Sequence, residues 1–198
     1  MRIGAYEINE PLPKLEDPHV LAILRPWLDV GDVGTMALTK LEHHFGAGEL
    51  GRLARPGTFY DFTRYRPDIN NREGLRQIVV PNTLINYAQR PEGQDLLFLH
   101  MLEPHMFGED YVDSVFEVLQ AFSAKRYALI GAMYDAVPHT RPLIVSGSIA
   151  GKALVGNPGE PPVQPSTYEG PTTITYLLSL QAPLLGMEPA SIVAHLPQ

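Results

Sequence analysis

The sequence predicts an α/β fold with a mostly parallel central sheet and helices on both faces. Short apolar runs of strand length recur along the chain, and segments with apolar residues at helical spacing separate several of them. Strands that alternate with helices are typical of parallel sheets, because each helical crossover returns the chain to the same edge. The chain has 198 residues, which is long enough for one large domain with a substantial core.

Apolar runs mark the predicted strands, and proline or glycine ends several of them. The most apolar run covers residues 95–102 and is followed by Glu103-Pro104. The other predicted strands cover residues 19–24, 49–53, 59–62, 77–80, 127–133, 143–145 and 191–195.

Three helices are predicted among these strands. Asp32 is placed to cap the first, and Gly46 and Gly48 end it. Its expected buried face carries Val33, Met36, Ala37 and Leu41. The second helix covers residues 107–122, where a spacing of i, i+4, i+8 and i+11 aligns Tyr111, Val115, Leu119 and Phe122. The third begins at Gly170-Pro171 and closes at Gly186.

Proline is the unusual feature of the composition, since its 19 residues are about twice the ordinary usage. Residues 1–18 are polar and proline-rich, and we expect them to form an N-terminal lead-in. A single domain over residues 19–198 follows. Residues 157–168 hold four prolines and are predicted to form a long loop of the kind that often carries function.

Charge and cysteine content exclude several classes of function. The chain has 15 basic and 22 acidic residues, a net charge of −7, which argues against a nucleic-acid or membrane-surface binder. It has no cysteine, which excludes disulfides, zinc–thiolate sites, iron–sulfur clusters and thiol nucleophiles. No apolar run reaches the ~18 residues of a membrane span, and the N-terminus lacks an apolar signal core. We therefore expect a soluble, cytoplasmic protein.

Polar residues near the ends of apolar strands form the candidate site. Ligands bind at the carboxyl ends of strands in such sheets. Arg141 is suited to hold a carboxylate or phosphate, and His139 to act as a general base, between Pro138 and Pro142. A structural alternative stays open, in which Arg141 pairs with Asp135, Asp61 or Glu103. The candidate pocket comprises Asp29, Asp61, Arg66, Glu103, His139 and Arg141.

No complete catalytic, metal or cofactor motif accompanies these residues. Residues 146–153 approach a phosphate-binding loop but have Ser146 and Ala153 where it needs glycine and Ser or Thr. We therefore expect a glycine-containing turn from strand to helix. Glu103 and His105 lack the spacing of a dedicated metal site, and Glu103 could instead cap the following helix. We predict no metal and no cofactor, and assign no catalytic residue.

Five stretches in order resemble the PAC2 family, named after proteasome assembly chaperone 2. The likeness runs from about residue 20 to the end, and Pro-His-Thr-Arg-Pro at 138–142 is its most specific part. The stretches are residues 27–34, 59–62 with Arg66-Pro67, Glu103-Pro104, 137–142 and 166–172.

The resemblance implies a fold more than an activity. It implies an α/β sheet similar to that of nucleoside phosphorylases and peptidyl-tRNA hydrolases. Eukaryotic and archaeal members assist proteasome assembly or bind its core, and members commonly form homo-oligomers. Many bacterial relatives continue into a helical segment that this chain lacks, so it is a shortened member or part of a longer chain. Residues 194–198 also lack the hydrophobic–Tyr–any-residue tail that docks some chaperones on the proteasome.

The leading hypothesis is therefore a protein-binding module that acts like an assembly chaperone without catalysis. The alternative is a small-molecule enzyme or sensor with an anion-binding pocket at the strand ends, similar to a hydrolase or phosphorylase by fold analogy. A third hypothesis is a structural subunit whose only partner is a second copy of itself.

Overall fold

The computed structural model describes residues 1–72, 74–153 and 170–198. These residues form an α/β fold with one large sheet, a separate hairpin and three α-helices. None of those helices is long and apolar enough to cross a bilayer. The helices are α1 (Val33–Phe45), α2 (Gly108–Ala121) and α3 (Ile174–Gln181). The strands are β1 (Arg2–Ile3), β2 (Tyr6–Ile8), β3 (His19–Arg25), β4 (Gly48–Leu53), β5 (Asp68–Arg72), β6 (Leu75–Val79), β7 (Leu84–Ala88), β8 (Leu96–Leu102), β9 (Arg126–Asp135), β10 (Ile144–Ile149), β11 (Lys152–Ala153) and β12 (Glu188–Pro197).

The large sheet is mixed, which corrects the prediction of a mostly parallel one. Its ten strands run in the order β1-β2-β4-β7-β8-β3-β9-β12-β10-β11. Only β8, β3, β9 and β12, in the centre, pair in parallel, and the other six pairings are antiparallel. The physical reason is that no α-helix lies between β4 and β7 or between β7 and β8. Parallel neighbours usually need a helical crossover, and strands joined without one pair antiparallel.

Helices pack on both faces of the large sheet, as the alternating side chains of β3 show. Val20, Ala22 and Leu24 belong to the larger core cluster, which also contains the buried residues of α2 and α3. Ile23 belongs to a smaller cluster on the opposite face with Leu38 of α1. Successive strand residues point to opposite faces. The larger core therefore lies under α2 and α3, and the smaller one under α1.

Helix α1 buries a different face from the predicted one. Gly34 and Leu38 are its buried residues, whereas Met36 and Leu41 are exposed. Its orientation is set by Glu42, whose carboxylate lies 2.7 Å from His100 Nε2 and accepts a hydrogen bond from Asn86. Burial alone would raise the pKa of Glu42, but these hydrogen bonds outweigh it and lower the pKa. Burial of Leu38 in the smaller core and this polar contact to β7 and β8 thus act on the same side of α1.

Three other segments also differ from their predicted structure. Residues 59–62 form a turn after a short 3₁₀ helix at Pro56–Thr58, not a strand. β10 turns through Ala150 and Gly151, both at positive φ, into β11, so this segment is a hairpin and not a strand-to-helix turn. β2 buries Tyr6 and Ile8 in the core, although it lies within the expected lead-in. The predicted loop at 157–168 lies outside the described residues.

A buried network of three hydroxyl groups joins distant parts of the fold. Thr83 Oγ1 lies 2.5 Å from Tyr60 Oη and 2.7 Å from Tyr111 Oη. Tyr60 belongs to the loop after β4, Thr83 directly precedes β7, and Tyr111 lies in α2. All three residues are buried, so each hydroxyl needs a partner inside the protein. Desolvation raises the pKa of Tyr60 to about 12, which keeps its hydroxyl protonated.

Replacing Thr83 tests this network. We expect Thr83→Val to lower the free energy of unfolding by about 1–3 kcal/mol, because it leaves two buried tyrosine hydroxyls without their shared partner. Urea denaturation measures the change. Thr83→Ser keeps the hydroxyl and should recover most of the loss, whereas an equal loss in both variants would contradict a hydrogen-bonding role.

Candidate functional site

A cavity of about 510 Å³ lies between the loop after β4 and the segment after β8. Its lining combines a carboxylate, a guanidinium, an imidazole, the hydroxyl-bearing side chains of Tyr60 and Thr63, and the apolar surface of Phe62 and Met106. Its volume is in the range of small-molecule sites. Its lining residues are Gly57, Tyr60, Asp61, Phe62, Thr63, Arg64, His105 and Met106.

Backbone hydrogen bonds hold the two sides of the cavity together. The N–H groups of His105 and Met106 both donate to the carbonyl of Phe59, at 2.8 and 3.2 Å. The N–H of Asp61 donates to His105 Nδ1 at 3.2 Å. Because Nδ1 accepts this bond, the neutral imidazole carries its proton on Nε2. The ring centroid of Tyr65 lies 4.5 Å from that of the His105 imidazole, and this packing restricts the orientation of the imidazole.

Asp61 stays ionised beside Thr63 and Arg64. Its Oδ1 accepts hydrogen bonds from the backbone N–H of Thr63 at 2.8 Å and from the Thr63 hydroxyl at 2.7 Å. These bonds lower the pKa of Asp61, with a further contribution from Arg64, whose Nε lies 3.8 Å from Oδ2. Arg64 is exposed and not fully engaged by this single longer contact. The pocket can therefore offer a cation to an anionic ligand.

Glu103 caps a helix, as one of the sequence-based alternatives predicted. The capped helix is α3, whereas the prediction was the helix that directly follows Glu103, which is α2. Glu103 Oε1 accepts a hydrogen bond of 3.0 Å from the N–H of Ile174, the first residue of α3. Its Oε2 is buried with no hydrogen-bond partner in the described part of the chain. Burial raises the pKa of Glu103, and the Ile174 hydrogen bond offsets this in part. Glu103 is thus a half-buried carboxyl that fixes the position of α3.

Asp29 also caps a helix. It is buried after β3, and its carboxylate accepts hydrogen bonds from the Thr35 N–H at 3.1 Å and the Thr35 hydroxyl at 2.5 Å. Asp32, the predicted cap, makes no capping hydrogen bond. A Cβ at Gly34 would approach Asp29 Oδ1 to 3.0 Å, so the glycine keeps room for this carboxylate. The role of Asp29 here is to hold the start of α1.

The structure does not join the remaining candidates to this cavity. Arg66, His139 and Arg141 are exposed, and no hydrogen bond or ion pair of their side chains occurs within the described residues. Asp29, Glu103 and the loop of His139 and Arg141 do follow the parallel strands β3, β8 and β9 at the same edge. Of the six predicted residues, Asp61 alone lines the cavity. A pocket built from all six stays a prediction.

The described residues also give no support to the alternative in which Arg141 forms a structural ion pair with Asp135, Asp61 or Glu103. Asp61 bonds to Thr63, Glu103 to Ile174, and Asp135 to His195. The described part of the chain shows none of these carboxylates paired with Arg141.

Sequence reasoning missed His105 and Thr63 as partners of Asp61. The Asp-x-Thr spacing is a signal that could have identified the turn, because Asp side chains commonly bond to the backbone two residues later. The contact between Asp61 and His105 spans 44 residues and leaves no local pattern. Among the described residues, no group of three or more His, Cys, Asp or Glu side chains is placed to hold a metal ion.

The pH dependence of stability tests the placement of Glu103. Because the pKa of Glu103 is raised in the folded state, ionising this carboxyl lowers the free energy of unfolding. The loss is absent below the usual Glu pKa of about 4.3, and it grows as the pH rises from there through the raised pKa of the folded state. Glu103→Gln keeps an acceptor for Ile174 and cannot ionise. We expect its melting temperature, relative to wild type, to increase from pH 4 to pH 8. A difference independent of pH would contradict this.

Glu103→Ala is the matched control for the cap itself. It removes the acceptor and should lower stability by about 1 kcal/mol relative to Glu103→Gln at the same pH.

Comparison with known proteins identifies relatives over nearly the whole chain. A Mycobacterium tuberculosis proteasome-assembly chaperone homologue is similar with a TM-score of 0.78 and 25% identity, covering 90% of this chain and 75% of that one. A PAC2 family protein from Streptomyces avermitilis is similar with a TM-score of 0.76 and 25% sequence identity, and the match covers 91% of this chain and 76% of that one. An archaeal proteasome activator from Pyrococcus furiosus is similar with a TM-score of 0.72 over 99% of this chain and 81% of that one. Its sequence identity is 15%, so this similarity shows a shared fold alone.

Among curated proteins, the comparison found no significant match. The family model of PAC2 matches residues 23–198, which include every segment of the cavity. The chain therefore belongs to the PAC2 family.

Proposed function

We propose that this chain is a protein-binding module that acts like an assembly chaperone, with a proteasome-related complex as its partner and the cytoplasm as its location. Family membership carries this proposal, because the M. tuberculosis relative at 25% identity is itself a proteasome-assembly chaperone homologue. Two exposed apolar surfaces add support. Contiguous apolar surface on a folded domain commonly marks a protein contact.

The first surface is the hairpin of β5 and β6. It stands outside the ten-stranded sheet, and every residue of β6 is exposed. Ile69 and Ile78 face each other across the two strands and remain 58% and 69% exposed. Leu75 and Val79, on the other face of β6, are exposed as well. With apolar side chains on both faces, this hairpin is suited to contact another protein.

The second surface is the outer face of α3 and the 3₁₀ helix at Ala182–Leu185 that follows it. Tyr176, Leu180 and Leu184 recur every four residues and are exposed, Leu184 by 83%. The inner face of α3 packs Ile174 and Leu178 into the core. A helix that is apolar on both faces is normally covered on both. This face supports the proposal of a homo-oligomer, in which a second copy covers it.

A substitution in the hairpin tests the proposed function. Tagged wild-type protein is used to capture partners from a lysate of the source organism, and proteasome-related subunits are quantified by mass spectrometry. We expect Ile78→Asp to reduce their recovery about tenfold or more, because a charge in a desolvated contact costs well over 1.4 kcal/mol.

Gln94→Asp is the matched control, since it adds the same charge to an exposed residue that lies outside the hairpin and outside α3. It should keep more of the recovery than Ile78→Asp. Failure of wild type to capture any proteasome-related subunit, or equal recovery by Ile78→Asp and wild type, would contradict the proposal.

The cavity supports a second candidate function, a small-molecule enzyme or sensor that binds an anion. Arg64, Thr63 and His105 supply one cation and two polar groups to a cavity of about 510 Å³. The ionised Asp61 beside Arg64 opposes this, because it repels a ligand of the same charge. The wider pocket of six residues and the likeness to nucleoside phosphorylases belong to this candidate.

A thermal-shift screen with phosphate, carboxylates and nucleotides separates the two candidates. A ligand at ~100 times its dissociation constant adds about 2.7 kcal/mol, a shift of about 5–11 °C in a chain of this size. We expect the shift to be lost in Arg64→Ala and kept in Arg66→Ala, since only Arg64 lines the cavity. No shift with any anion, or equal loss in both variants, would contradict an anion site here.

A further inference from the structure

A chain of hydrogen bonds links a serine, a histidine and an aspartate near the far edge of the large sheet. Ser146 Oγ lies 2.7 Å from His195 Nε2, and His195 Nδ1 lies 2.8 Å from Asp135 Oδ2. The imidazole thus contacts a hydroxyl with one nitrogen and a carboxylate with the other. This is the arrangement that activates a serine nucleophile, in which the carboxylate orients the imidazole and the imidazole accepts the hydroxyl proton.

Strand register explains why these three residues meet. Ser146 lies on β10 opposite Val193 of β12, two residues before His195. His195 also lies beside Met133 of β9, two residues before Asp135. Opposing residues share a face and residues two apart remain on it, so the three side chains point to the same side of the sheet. The site therefore rests on three paired strands and not on a mobile loop.

The surroundings of His195 suit an apolar substrate. Its two lateral neighbours in the sheet are Met133 and Ile144, both exposed on the same face. The His195 side chain is 17% exposed and that of Asp135 is 44% exposed, so the hydrogen-bonded chain reaches solvent without being fully open. The hydrogen bond from His195 lowers the pKa of Asp135 and keeps its carboxylate ionised.

Backbone N–H groups of β10 lie on the strand that carries Ser146. β11 pairs with β10 only at Ser148 and Ile149, so no strand covers the edge beside Ser146 in the part of the chain that the structure describes. Alternate N–H groups of an antiparallel strand point to that edge. Such groups can donate to a developing oxyanion.

We propose that Ser146, His195 and Asp135 form a hydrolytic site for carboxylic esters with a small apolar acyl group. Ser146 is the nucleophile, His195 the general base and acid, and Asp135 a positioning residue. This activity goes beyond the proposed protein-binding role and does not depend on it.

The reaction proceeds in two balanced steps. The Ser146 hydroxyl gives its proton to His195 Nε2 while Oγ forms a bond to the ester carbonyl carbon. The bond from that carbon to the alcohol oxygen then breaks, and the alcohol leaves with the proton from His195. In the second step water gives a proton to His195 and bonds to the acyl carbon. Ser146 Oγ leaves and regains the proton, which releases the carboxylic acid.

A fluorophosphonate probe tests the site on the full chain. Ser146 Oγ should displace fluoride and become phosphonylated, which intact-mass and peptide mass spectrometry detect at that residue. We expect Ser146→Ala to abolish the adduct and His195→Gln to slow its formation about 100-fold or more. Hydrolysis of p-nitrophenyl butyrate should fall in parallel.

Ser148→Ala is the matched control. Ser148 lies two residues along on the same face of β10, but its hydroxyl contacts Ser191 at 3.1 Å and no imidazole. Its variant should keep the adduct and the hydrolysis rate. Labelling of wild type at no residue, or equal labelling of wild type and Ser146→Ala, would overturn the proposal.

Asp135→Asn separates positioning from folding. The amide can favour the wrong tautomer of His195, so kcat for p-nitrophenyl butyrate should fall with KM nearly unchanged, while the circular dichroism spectrum stays that of wild type. Unchanged kcat in a folded Asp135→Asn variant would overturn the role of Asp135.

Discussion

The shared hydroxyl of Thr83 is the interaction on which the cavity side of the molecule depends. It satisfies two buried tyrosines from segments that are far apart in the chain, one in the loop after β4 and one in α2. An unpaired buried hydroxyl costs about 1–3 kcal/mol, so this short contact favours the loop position that brings Tyr60 to Thr83. With Tyr60 fixed, the next residue, Asp61, reaches His105. The buried network and the backbone hydrogen bonds between Phe59 and residues 105–106 together fix the geometry of the cavity.

The carboxylates at the strand ends have a structural role, because they accept hydrogen bonds from the starts of helices. Asp29 after β3 and Glu103 after β8 both accept hydrogen bonds from the first turns of helices, α1 and α3 respectively. A helix start offers N–H groups without intrahelical partners, and a carboxylate satisfies them and complements the helix dipole. Topology brings the polar residues of parallel strands to one edge, and the helices that cross that edge use them as caps. This explains why Asp29 and Glu103, two residues of the predicted pocket, make capping hydrogen bonds at this edge.

The predictable parts of the structure are those with a local signal. The four-residue spacing of Tyr111, Val115 and Leu119 suffices to identify α2 and its buried face, and the apolar run at 95–102 identifies β8. β7 has partly buried polar residues and no such run, and its place in the sheet comes from pairing with β4 and β8. Side-chain partners are harder still. Glu103 and Ile174 are 71 residues apart, and nothing in either neighbourhood marks the pair.

The two proposed activities occupy opposite parts of the strand order, which makes them physically separable. The apolar hairpin is inserted between β4 and β7 on one side of β3, whereas Ser146, His195 and Asp135 lie on β10, β12 and β9 on the other side. Substitutions at distant sites without shared partners have nearly additive effects, so a hairpin variant should leave the hydrogen-bonded chain intact. The outer face of α3 differs, because α3 covers the same side of the sheet that carries Ser146. Variants of that face therefore need assays of both self-association and ester hydrolysis, whereas a hairpin variant needs only the first measurement.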